Sequence, residues 1–166
     1  MGAEGVKPPP LQLPTEQVDL IRATFASKIE PDVSKHALEL YIKLLELIPE
    51  AAQMFSMTRR AKEPHRENKL LQAHATTAMK MVCSAAVKLD RQKDVRALKT
   101  SLADLGSRHL LFGVTSEHAP KLRAAFVAVL SEALGEEWGG DVEKAWVAAY
   151  NAIEYMFLVG FLGLQE

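Results

Sequence analysis

Two histidines, His74 and His109, stand 35 positions apart, each on an apolar stripe of helical period. Around the first, Leu71, Ala75, Ala78, Met81, Val82, Ala85 and Leu89 recur at three- and four-residue steps, the spacing that gathers side chains on one face of a helix. Val95, Leu98, Leu102 and Leu105 lead to the second in the same way. An imidazole turned toward a core needs a partner, because a buried polar group left unpaired costs about 1–3 kcal/mol. A metal would serve. Zinc fits poorly: the histidines lie on separate helices, and no third His, Cys or carboxylate shares either stripe to complete a tetrahedral set. An iron already held by four porphyrin nitrogens needs only its two axial positions, which two facing imidazoles can fill or guard. On spacing alone, haem ligation and a pair of hydrogen-bonded core histidines both stay open.

Other chemistries find little support. Cys83 is the only cysteine, which excludes an internal disulfide and a cysteine-based zinc cluster and fits a reducing, cytoplasmic setting. Nine positions beyond His74 is about 900° of helical rotation, so Cys83 points away from the histidine face, toward the outer or packing side. His36 near a helix start, His65 in a basic loop and His118 opening a helix read as solvated or capping residues. No local nucleophile signature supports a Ser/His/Asp or Cys/His hydrolase, and no Gly-rich phosphate loop is present. With 20 Lys and Arg against 21 Asp and Glu, net charge −1, the chain lacks the electrostatic footprint of a nucleic-acid or anionic-membrane partner. The run Arg59, Arg60, Lys62 reads as a solvated loop rather than a partner site.

The elements that must position the histidines are helices. The 166 residues, 48% hydrophobic, suffice for one domain with a full core. Residues 1–14, MGAEGVKPPPLQLP, read as a flexible tail rather than a signal peptide, and residues 15–166 as one domain. Thr15 is the expected N-cap of a first helix carrying Val18, Ile21, Phe25 and Ile29. Pro31 restarts the chain, and a second helix over about 32–47 bears Ala37, Leu40, Tyr41, Leu44 and Leu45 and stops before Pro49. The turn PEAAQMF leads to a loop over 58–68. Helices over 69–89 and 94–110 carry the histidines, with a charged linker between them. A helix over about 118–134 ends at Gly135, and Asp141 is the expected cap of a last helix running to about Phe161. The apolar run 153–164 is interrupted by Glu154, Gly160 and Gly163 and is too short to cross a bilayer. No stretch alternates with period two between turn residues, so the predicted class is all-α with no sheet.

In ordered combination several segments resemble one family. They are PEAAQMFS at 49–56, the AHA around His74, MVCSAAVKL at 81–89, LGSRH at 105–109, GVTSEH at 113–118 and GEEWGGDVEKAWVAAY at 135–150. Together they make the chain similar to the plant-type haemoglobins, the globins that include non-symbiotic phytoglobins and leghaemoglobins, over about residues 15–160. The resemblance implies the globin fold, about seven to eight helices around a haem pocket, and haem b (iron protoporphyrin IX) as cofactor.

It implies roles residue by residue. His109 would be the proximal ligand of the iron, and His74 the distal histidine, able in some members to bind the iron as a sixth ligand. Phe55 would wedge against the porphyrin, with Ser56, Ala78 and Val114 also contacting it. Tyr41 takes the distal-pocket position where six-coordinate members usually carry Phe and leghaemoglobins carry Tyr. Leu70 and Asp104 stand where relatives often place basic residues near the haem carboxylates, which leaves Lys69 and Arg108 as substitutes. The implied ligands are O₂, NO and other diatomics. The implied activity is tight O₂ binding with conversion of nitric oxide to nitrate through the oxy form, the ferric product being restored by a separate reductase. O₂ storage or facilitated diffusion, and nitrite reduction by the deoxy form, are the alternatives within the family; a haem-free helical interaction domain lies outside it. Members are often homodimers, with contacts near the PEAA turn and the helix after His118.

Overall fold

The computed structural model describes residues 7–162, with side chains through residue 160. All regular structure among the described residues is helical, with no strand. Helix α1 (Thr15–Thr24) runs through a π-helical turn, Phe25–Ile29, and a 3₁₀ turn, Glu30–Asp32, into α2 (Val33–Leu47). Two single-turn helices follow, α3 (Ala51–Met54) and α4 (Ser56–Arg59). After these come α5 (Lys69–Ala86), α6 (Gln92–Leu110), α7 (Ala119–Leu134) and α8 (Gly140–Leu162). The chief packing partners are α6 with α8, α2 with α5 and α7, and α1 with α8.

Helix ends depart from the sequence expectation where backbone geometry overrides side-chain preference. Pro14, with φ −57° and ψ 145°, takes the cap position, and its carbonyl accepts from Gln17 N and Val18 N at 3.1 and 3.2 Å. Thr15 is therefore the first helical residue, not the cap. Gly140 at φ 51° lets α8 begin one residue early, so Asp141 lies inside the first turn, where its charge still favours the helix N-terminus. Gly135 does end α7, at φ 56°, a conformation that costs glycine no Cβ clash. The expected loop over 58–68 contains a 3₁₀ turn, His65–Glu67.

Part of the expected tail is fastened to the body. Leu13 is buried and its amide donates to Leu89 O at 2.8 Å, while Gln12 Nε2 donates to Asp90 O at 3.0 Å. Residues 1–6 lie outside the described residues. The corner after α5 is held again by Arg22, which donates to Val87 O and to the Asp90 carboxylate, both at 2.9 Å.

The core is one cluster around Trp146, whose indole N–H donates to Thr24 Oγ1 at 2.9 Å. That bond satisfies a donor that would otherwise be stranded in apolar surroundings, and it ties α8 to α1. Cys83 is fully buried, on the packing side, and burial pushes its thiol up to about 12. A thiol so protonated and enclosed is no nucleophile and no intermolecular link.

Helices α6 and α8 touch backbone to backbone at Gly160. A Cβ added there would sit 1.8 Å from Ala103 O. The Ser107 hydroxyl lies 3.1 Å from Ala103 O and 3.0 Å from Gly160 O, so its single proton is shared across the contact. Gly160→Ala should therefore destabilise the fold despite alanine's helix preference. The preference is worth about 1 kcal/mol, whereas overpacking against a backbone that cannot yield costs about 1–3 kcal/mol or more. Thermal unfolding should show a midpoint several degrees lower; an unchanged or raised midpoint would show that α8 shifts freely along α6.

Candidate haem site

His74 is positioned from the start of its helix. Asn68 is buried at the N-cap of α5, where its Oδ1 accepts from Leu70 N and Leu71 N at 3.1 Å and its Nδ2 donates to Met57 O at 2.8 Å. One residue thus satisfies two orphan amides of the helix and fixes where the helix begins. Farther along, Thr76 Oγ1 lies 3.2 Å from Ser34 Oγ, joining α5 to α2 half a turn beyond His74. Asn68 went unnamed among the sequence candidates, although its residue type just before an apolar periodic run was signal enough.

Helix α5 has two apolar faces. Leu71, Ala75, Met79, Cys83 and Ala86 are buried in the core, while His74 and Ala78 occupy a partly open neighbouring face and Met81 is 37% exposed. Onto that open face come two aromatic rings from other elements. Tyr41 of α2 meets His74 edge-on with ring centres 5.5 Å apart, and Phe55 lies 5.5 Å from His74 and 5.9 Å from Tyr41. Phe55 is the hinge between α3 and α4, in extended conformation at φ −92° and ψ 129°. Three residues separated by 14 and 19 positions thus form one wall.

The electrostatics of this wall favour neutral groups. Desolvation, helped by the charge of His109, holds His74 below the ordinary histidine pKa. Burial pushes the Tyr41 phenol up to about 12. At neutral pH both rings are uncharged, and each keeps a proton to donate. Neither has a hydrogen-bond partner among the described residues, so both donors are available to a ligand.

His109 sits in the last turn of α6. Its Nδ1 lies 2.8 Å from Leu105 O; a carbonyl can only accept, so Nδ1 carries the proton, and in the neutral ring the lone pair is left on Nε2. This is the tautomer that a metal-binding imidazole needs, with its ring direction fixed by the second nitrogen's bond. Phe157 of α8 meets the ring edge-on at 5.1 Å. An oriented Nε2 lone pair on one element and an uncharged, hydrogen-bonding aromatic wall on another fit an iron porphyrin. His109 would hold the iron; Phe55, Tyr41 and His74 would face what binds there.

The other sequence candidates divide. Ala78 and Val114 are partly buried, while Ser56 is exposed at the start of α4. Lys69 is exposed with no ion-pair partner among the described residues, and Arg108 is paired with Asp104 at 2.7 Å. His118 closes a capping box, its Nδ1 accepting from Thr115 N at 3.0 Å, and His36 Nε2 meets Lys28 O at 3.1 Å, as structural roles require. His65 has a buried Nδ1 without a partner.

The fold defines an all-helical protein among the described residues, and the globin family model matches residues 38–157. The chain belongs to the globin family. Its place there is among the plant-type haemoglobins. It is 37% identical over 123 residues to an anaerobic nitrite reductase of Brassica napus, covering 74% of this chain and 76% of that protein. It is 36% identical over 123 residues to an anaerobic nitrite reductase of Arabidopsis thaliana, covering 74% and 78%. To an anaerobic nitrite reductase of Casuarina glauca it is 29% identical over 139 residues, covering 84% and 87%. As a globin it binds haem and diatomic ligands such as O₂. No helix among the described residues is long and apolar enough to cross a membrane.

Proposed function

We propose that the protein carries haem b, binds O₂ tightly and uses it to turn nitric oxide into nitrate. What supports the reading is the pair of uncharged donors, Tyr41 and His74, packed together without protein acceptors. Haem b supplies the iron that carries the ligand and the electron that passes to it. The residues do the rest. His109, oriented by its Nδ1 bond to Leu105 O, would hold the iron through Nε2. The Tyr41 hydroxyl and the His74 N–H donate to negative charge that develops on a ligand, each such bond being worth about 1.5–3 kcal/mol where charge assists it. Phe55 fills the wall beside them and keeps bulk water away.

The net change joins NO, O₂ and one electron into nitrate, so each turnover ends one electron short. A separate reductase, a cytoplasmic setting, a homodimer, and Lys69 and Arg108 as partners of the haem carboxylates belong to the same proposal. The test is to mix the oxygenated protein with NO. Nitrate should form one for one, and O₂ should leave over seconds in NO-free buffer. Persistence of NO, or O₂ release within milliseconds, would instead fit storage or delivery.

The names of the relatives favour a second activity at the same site. Nitrite, one electron and two protons yield NO and water, and an anionic substrate suits the same two donors. The deoxygenated ferrous protein should then release NO when given nitrite.

A further inference from the structure

Residues 58–67 run from the second half of α4 out and back to the start of that helix, because Asn68 Nδ2 bonds Met57 O at 2.8 Å. A surface loop whose ends meet in this way is compact and self-supporting. It is pinned twice more. Thr58 Oγ1 donates to Ala52 O at 2.6 Å, and Arg66 makes a bidentate ion pair with Glu39 of α2.

On this fixed base stand Arg59, Arg60 and Lys62, and Lys69 follows directly on Asn68, the residue that closes the loop. All four carry their charge at the surface, and none has an ion pair among the described residues. Arg59 donates its Nε to Gln53 O at 2.9 Å, which holds the side chain in place without neutralising it. Residues 59–69 hold five Lys and Arg against two Glu, in a chain whose net charge is −1. The cationic surface is therefore local, and the rest of the molecule is acidic. At its edge Leu70 is 69% exposed, one turn before His74 on the same helix. The run Arg59, Arg60, Lys62, read from sequence as solvated, is exposed, and it belongs to a shaped cationic surface with an apolar spot.

The proposed function supplies the occupant, and this inference rests on that reading. Every turnover needs one electron from outside, delivered near the haem by a protein that must then leave. Transient electron-transfer contacts are small, and opposite charge steers them together. We propose that the loop 58–67, with Leu70 at its edge, is the landing surface for an acidic-faced one-electron donor protein. One electron leaves the donor's reduced flavin and arrives at the ferric iron, which becomes ferrous; no atom is transferred.

The experiment follows reduction of the ferric holoprotein by reduced flavodoxin, an acidic flavoprotein, in stopped flow. Salt is raised from about 0.01 to about 1 M, which shortens the screening length from about 30 to about 3 Å. The wild-type rate should fall at least tenfold across that range, within the span that steering supplies. The double variant Arg60→Glu/Lys62→Glu should be at least tenfold slower at low salt and nearly insensitive to salt. Its reduction by dithionite and its circular dichroism should match wild type. Equal flavodoxin rates in variant and wild type would overturn the assignment. So would equal slowing with dithionite, which would place the residues in the haem site itself. If the variant loses binding to phosphatidylserine vesicles or duplex DNA while flavodoxin rates are unchanged, the surface serves another partner and the proposal fails. An oxygenated protein that leaves NO intact would reject the proposed function without touching the flavodoxin result, so the two failures are distinguishable.

Discussion

Leucine at position 109 is expected to leave a folded helical protein that no longer retains haem. His109 presents the free Nε2 among residues whose other contacts are apolar or already paired, so its removal deletes the bond to iron and little else. The fold loses one side-chain hydrogen bond, to a carbonyl that the helix ladder already engages, at a cost of about 1 kcal/mol. A domain of this size tolerates such a loss. The haem loses a coordinate bond that nothing else on α6 can replace. Reconstituted His109→Leu should therefore show wild-type circular dichroism and no Soret band after gel filtration. His109→Gly, which opens room for a free ligand, should recover the band when imidazole is added. Retention of haem by His109→Leu with an unchanged spectrum would show that the proximal assignment is wrong.

The second large effect concerns Tyr41. The residue is buried, its hydroxyl is neutral and has no acceptor among the described residues, and its ring centre lies 5.5 Å from that of His74. Removing the hydroxyl takes away a donor and leaves no stranded partner, so stability should change little. Ligand binding should change much. Loss of a charge-assisted hydrogen bond of about 1.5–3 kcal/mol corresponds to roughly tenfold to hundredfold faster O₂ release. Carbon monoxide, which carries less negative charge, should be affected less. Stopped-flow dissociation of both ligands from Tyr41→Phe measures the contrast. An O₂ release rate that is unchanged or slower would reject the phenol as donor and leave His74 as the only hydrogen-bonding group of the wall. The phenol has a stability signature as well. A group whose acid form is favoured by burial stabilises the fold fully below its unfolded pKa near 10, and that contribution disappears as pH rises through about 12. Tyr41→Phe should flatten this part of the alkaline limb.

Much of the molecule is legible along the chain because helices write themselves locally. Period 3.6 in the apolar residues locates α2, α5, α6 and α8, and puts His74 and His109 on apolar helix faces. Gly135 ends α7 where its residue type says it should. These signals need no distant partner, since hydrogen bonds four residues apart and a side chain's angular position are properties of a short segment. The ordered motifs carry the family with them, because each records the same local solution.

What periodicity cannot say is which of two adjoining apolar faces meets the core and which meets a ligand. Leu71, Ala75, Met79 and Cys83 are buried and His74 with Ala78 lie on the open side because α2 and the α3–α4 hinge lie where they do. The meeting of Tyr41, Phe55 and His74, the anchoring of Leu13 at Leu89, and the closure of the loop by Asn68 on Met57 O are contacts between separated parts of the chain. Each depends on loop closures and helix packing whose free energies are shared among many residues. The tautomer of His109 and the neutrality of Tyr41 belong to the same group, since a proton's position is set by the atoms around the ring, and only the assembled molecule supplies them.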